Sequence, residues 1–177
     1  MSKSQTDIFT GFDVTVGSDH AYIHQGKAYV LIGATGSIAA AGVEHVSFKT
    51  PALPGGKYIH WRPARLSSTA NALAITVTEG AVMTSGTLAV PQNLYRIKKN
   101  ASQVVAYTGA TLTTAGNGGV IYQDAVGSGG ASNRSGGDAA SGEERVLKPD
   151  TTYSITFTNI GASTATVGYY TLFWYEE

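Results

Sequence analysis

Hydrophobic side chains recur at every second position along most of the chain. In "ALAITVTEG", Leu73, Ile75 and Val77 fall on one face and Ala74, Thr76 and Thr78 on the other, the alternation of a strand with one face buried. "TYSITFTN" repeats it, with Tyr153, Ile155 and Phe157 against Ser154, Thr156 and Thr158, and "EHVSFKT" sets Val46 and Phe48 against Ser47 and Lys49. "KAYVLIGA", "SQVVAYT" and "GGVIYQD" are short β-branched or aromatic runs bounded by Gly, Asn or Ser, again strand-like. No stretch shows a convincing amphipathic helix; "GSIAAAGVEHV" comes nearest, and its glycines limit it to one turn. "HQGK", "PALPGGK", "TEGAV", "TSGT", "AGNGG" and "NIGAS" supply the turns, with Gly open to positive φ and Pro fixing turn entry. The pattern predicts an all-β fold, an antiparallel β-sandwich of jelly-roll type. About eight strands with a few long excursions fit this length better than an immunoglobulin sandwich of ~100 residues.

Three segments depart from simple alternation. Residues 1–17 are polar with isolated anchors at Ile8, Phe9, Phe12, Val14 and Val16. They read either as a terminus whose last part joins the sheet as an edge strand, or as an arm that docks Ile8, Phe9 and Phe12 on a neighbouring subunit. Residues 18–177 then form one sandwich domain. Within it, 127–144 ("GSGGASNRSGGDAASGEE") has no large apolar side chain and predicts a mobile surface loop. The last strand, "ATVGYYTLFWYEE", has large side chains on both faces: Tyr169, Phe173 and Tyr175 on one, Tyr170, Leu172 and Trp174 on the other. Such a strand lies between two packed layers or presents its second face to another subunit.

Composition narrows the classes. With 177 residues the chain holds one domain with its own core. Lys plus Arg balance Asp plus Glu at 12 each, and only 14% of residues are charged, so no footprint for nucleic acid or an anionic membrane is present. Without cysteine there is no disulfide, thiolate zinc site or thiol nucleophile. No apolar run suits a signal peptide or a membrane span of ~20 residues, which predicts a chain used in the cytosol or exported by a route other than secretion.

The chemistry-bearing motifs are few. A P-loop, a dinucleotide fingerprint, G-x-S-x-G and H-E-x-x-H are all absent from the sequence, and no cofactor or metal is expected. His20, His24, His45 and His60 are the whole histidine supply. Read on an extended strand, His20 and His24 lie too far apart to chelate one ion. His24 and His60, in the two copies of Tyr-Ile-His, could meet only on neighbouring strands and lack further ligands. They read instead as the less buried face of two strands, bonding locally or to a subunit partner. Trp61 with Arg62 and Arg65 in "YIHWRPARL" is a sugar-stacking platform, a core residue or an interface anchor.

The succession "YIHQGKAYVL", "VSFKTPALPGGKYIHWRP", "TEGAVMTSGT", "EERVLKPDTTYSITFTN" and "LFWYEE" resembles small β-rich head accessory proteins of tailed bacteriophages, the decoration or cement proteins. The resemblance covers about residues 20–177 as an order of motifs. It implies a non-enzymatic virion protein that assembles as a homotrimer on the outer capsid surface, at or near three-fold positions, and clamps adjacent subunits of the major capsid protein. Ile8, Phe9 and Phe12 would then contact the capsid. His24, His60, Trp61, Arg62, Tyr170, Leu172 and Trp174 would be the candidates for the trimer interface. The competing expectation is a phage tail or fibre component that binds host glycans through Trp61, exposed tyrosines and the 127–144 loop. A β-sandwich hydrolase is a third, without a motif to support it.

Overall fold

The computed structural model describes residues 3–6, 13–16, 18–97, 100–126, 134–135, 144–162 and 165–177. Strands β1 (Lys3–Thr6) and β2 (Asp13–Val16) form a two-stranded antiparallel sheet of their own, followed by helix α1 (Ser18–His24). The body opens with β3 (Ala28–Ala34), β4 (Val43–Lys49), β5 (Ile59–Ser68) and β6 (Leu73–Glu79). Short strands β7 (Val82–Thr84), β8 (Thr87–Ala89) and β9 (Gln92–Asn93) lead to β10 (Val105–Thr114) and β11 (Val120–Val126). β12 (Arg134–Ser135), β13 (Arg145–Leu147), β14 (Thr152–Asn159) and β15 (Gly168–Glu176) complete the chain.

The pairing defines the topology. β3 pairs with β15, β4 with β14, β5 with β13 and β6 with β11, all antiparallel. Early strands of the body therefore meet late ones in reverse order, as in one long ribbon rolled around a core. One sheet carries β13, β5, β15 and β3 side by side, and the other carries β11, β6, β14 and β4. This is the strand order of a jelly roll. β10, with β7 and β8 on its far side, widens the second sheet beyond β4, and β9 widens the first beyond β3.

Register explains which side chains are inside. Tyr153 lies opposite Phe48, Ile155 between Val46 and Val77, and Phe157 opposite Ile75, so the alternation of three strands lands on one inner face. From the facing sheet come Tyr29, Leu31, Ile59, Trp61, Leu66, Tyr170, Leu172 and Trp174, joined in the same buried cluster. Trp174 meets Phe48 edge-on at 5.1 Å between ring centres, and Trp61 meets Tyr122 the same way at 5.3 Å, arrangements that add to area burial. Tyr170 stacks on Phe157 and lies over Gly33, where a Cβ would come within 2.4 Å of its hydroxyl oxygen. Only glycine admits that approach.

Two expectations are corrected here. Tyr22-Ile23-His24 is helical, whereas Ile59-His60 begins a strand; the two tripeptides share no structure. Helix α1 ends in a Schellman motif: Lys27 N–H donates to Tyr22 C=O at 3.0 Å and Gly26 N–H to Ile23 C=O at 2.9 Å, with Gly26 at φ 69°. Gly26 is thus a helix cap, where a turn following a strand was expected. The second correction concerns the trimer-interface reading of the final strand; its other expected setting, between packed layers, is the one found. β15 is flanked by β5 and β3 at the centre of its sheet, and Tyr170, Leu172 and Trp174 point into the core of their own chain.

Candidate functional site

The predicted site residues do not form one group. Ile8, Phe9 and Phe12 lie outside the described residues, as does most of 127–144. Trp61, Tyr170, Leu172 and Trp174 are at most 2% exposed. Packing within the chain therefore closes them to a subunit partner, and closes Trp61 to a stacked sugar. His24 is exposed on α1, while His60 and Arg62 are half-buried on the outer face of β5.

His60 belongs to a cluster that sequence reasoning missed. On this outer face β15 carries Tyr175, whose ring stacks on His60 at 4.8 Å and, on α1, on Tyr22 at 4.2 Å. Tyr175 donates its hydroxyl hydrogen to Glu144, and the His60 Nδ1 lies 2.7 Å from the other Glu144 oxygen. Tyr22 donates to Glu177 at 3.0 Å, and that carboxylate lies 3.8 Å from His60 Nε2. Beside them, Arg62 lies 5.7 Å above the Phe173 ring. The outer face of β15 is thus covered by α1 and by residues of its own chain over its C-terminal half, which accounts for the aromatics on both faces. Tyr169, nearer its start, remains 52% exposed.

Burial pushes the Glu144 carboxyl upward, but hydrogen bonds from Tyr175 and His60, with the charges of His60 and Arg62, outweigh it and hold it below the usual carboxylate range. Tyr175 is raised above the ordinary phenol range, first by burial and then by Glu144. Both imidazole nitrogens of His60 face carboxylates on opposite sides, so the group acts as a clip joining α1, β5, β15 and residue 144. Among the described residues, no three His, Asp or Glu side chains are placed to hold a metal.

The broader candidate surface is the outer face of the other sheet. Residues out of register with the core define it: Gln123 and Ala125 on β11, Ala74, Thr76 and Thr78 on β6, Ser154, Thr156 and Thr158 on β14. It continues through Val43, His45 and Ser47 on β4, Val105 and Tyr107 on β10, and Leu88 on β8. At these outward positions the side chains are uncharged apart from the titratable His45, until Lys49 pairs with Asp150 at 3.1 Å on the rim; the carboxylates of the same strands, Glu44, Glu79 and Asp124, sit in register with the core residues Phe157, Tyr153 and Ile75. His45 Nδ1 lies 3.0 Å from the Thr156 hydroxyl, and burial lowers its pKa, which favours the neutral ring. Short Ser and Thr side chains make the middle level; Ser154 is fully buried although it points outward. Val43, Leu88, Val105 and Tyr107 stand exposed along the margin.

Fold and surface together define an all-β jelly-roll sandwich with a broad, neutral outer face. Comparison with protein-family models, with curated proteins and with solved structures gives no match to this chain.

Proposed function

We propose that the protein is a non-enzymatic virion structural protein, a capsid decoration protein that binds the outer surface of a tailed-phage head and bridges subunits of the major capsid protein. The order of sequence motifs suggests the class. The observation that carries the reading is the neutral sheet face: depletion of charge with aromatic and aliphatic side chains at hand is the composition of an interface centre. A broad neutral face of this kind suits a protein surface. Many such contacts repeated over a lattice stabilise the assembled shell by mass action and avidity.

In this reading the protein is a homotrimer. Its self-contact uses exposed residues of the opposite sheet, Tyr169 and the neighbouring Ile32, which is 68% exposed, in place of the buried aromatics. The test combines light scattering on the purified protein with its addition to heads prepared without it. A trimer that binds these heads and raises their melting temperature is expected, with Tyr107→Glu and Thr156→Lys abolishing binding while the chain stays folded. A monomer that neither binds nor stabilises such heads sinks the proposal.

A further inference from the structure

We propose that His20 and His24 of helix α1 form a two-imidazole chelate for a divalent transition-metal ion, favouring copper(II) and nickel(II) over zinc. In a strand these two residues could not share an ion; in the helix they are four positions apart and therefore neighbours on one face. Their Nε2 atoms face each other at 2.9 Å, with the rings at 63° and their centres 4.4 Å apart. Such a pair of nitrogens has one simple way to coexist without a metal: one imidazole donates its N–H to the lone pair of the other. When that proton moves to Nδ1 of its own ring, both Nε2 lone pairs are free and an ion can take them.

The spacing also bears on which ion. Nitrogens bound at about 2.0–2.1 Å lie about 2.9 Å apart when the N–metal–N angle is a right angle, and about 3.3 Å apart when it is tetrahedral. The hydrogen-bonded separation needs almost no change to reach the right angle of tetragonal or octahedral coordination, the preference of copper(II) and nickel(II), and copper(II) binds nitrogen donors most tightly in the divalent series. Both histidines are exposed, so water can complete the shell. The other two histidines are already engaged, His45 with Thr156 and His60 with Glu144. His24 also lies 5.9 Å, ring to ring, from Tyr95, which limits how the ring can turn away.

Binding would brace a helix of only seven residues, too short to be stable by itself. Since Tyr22 of the same helix stacks on Tyr175, the ion would hold the cap on the sheet. The experiment is titration of the untagged chain with copper(II), nickel(II) and zinc chloride in a non-coordinating buffer. Calorimetry would be paired with electron paramagnetic resonance for copper, and repeated with His20→Gln and His24→Gln. One copper per chain is expected, with two imidazole nitrogens in the spectrum, weaker binding of nickel, still weaker binding of zinc, and at least a tenfold loss of copper affinity in each variant. Exchange of the Gln25, Gly26 and Lys27 amides, which bond back into the helix, should slow on metal addition in the parent chain alone. The proposal is overturned by copper binding that survives in either variant, or by none above that of the doubly substituted chain. Circular dichroism separates either result from misfolding, which two exposed substitutions are not expected to cause.

Discussion

At the residue scale, β15 separates burial from hydrophobicity. Tyr169 and Trp174 are both aromatic, and the alternation of the strand places them on opposite faces. Trp174 is fully buried against Tyr29 and Phe48, whereas Tyr169 is half exposed. Trp174→Ala should therefore lower unfolding free energy by about 3–5 kcal/mol, while Tyr169→Ala changes it by less than about 0.5 kcal/mol. Urea unfolding of the two variants checks this, and a similar loss in both would contradict the assigned faces. The alternation was plain in the sequence. Which face of an aromatic strand meets the core, and what covers the other, was not, because Glu144, Tyr22 and Tyr175 come from distant parts of the chain.

At the element scale, the end of β15 anchors the segment before β10. Glu176 is 1% exposed, and its carboxylate accepts the Ser102 hydroxyl at 2.6 Å, the Gln103 amide at 3.0 Å and the Trp174 indole at 3.3 Å. A buried carboxylate is tolerated where donors of this kind satisfy it. Glu176→Ala leaves these donors without their acceptor, which costs about 1–3 kcal/mol for each group that water does not reach. The expected result is a clear drop in thermal midpoint with faster amide exchange at Gln103 and Val104; unchanged exchange there would refute the anchoring role. Helix α1 shows the opposite limit of sequence reading. Seven residues are too few for a helical period to stand out, and the glycine that caps it also suits a hairpin.

At the scale of the whole molecule, charge is sparse and its titration has a defined sign. The pKa of His45 is lowered by burial, so the unfolded chain takes up a proton first as pH falls below about 6.5, and stability declines from there. Glu144, also lowered, adds a second loss once pH drops below about 4.3, the unfolded carboxyl's range. Unfolding midpoints between pH 8 and 3 should fall in these two stages. His45→Gln should flatten the upper one and Glu144→Gln the lower, and a rise in stability on going from pH 7 to 5 would contradict the assignment. Protonation of His45 in the folded chain would also place a charge in the middle of the neutral face, so binding through that face should weaken at a pH below that at which stability begins to decline.

The sequence by itself determined the all-β class, the positions of most long strands and the residues on their buried faces, because a strand's period of two is local and needs no partner to be read. It also implied the jelly roll through strand number and spacing. Tertiary structure alone decided which strands pair and therefore that β15 is central. It likewise decided that Trp61, Tyr170, Leu172 and Trp174 serve their own core, and that His60 is held between two carboxylates. These outcomes depend on contacts between residues far apart in the chain, such as Tyr22 with Tyr175 and His60 with Glu144, which no local pattern encodes.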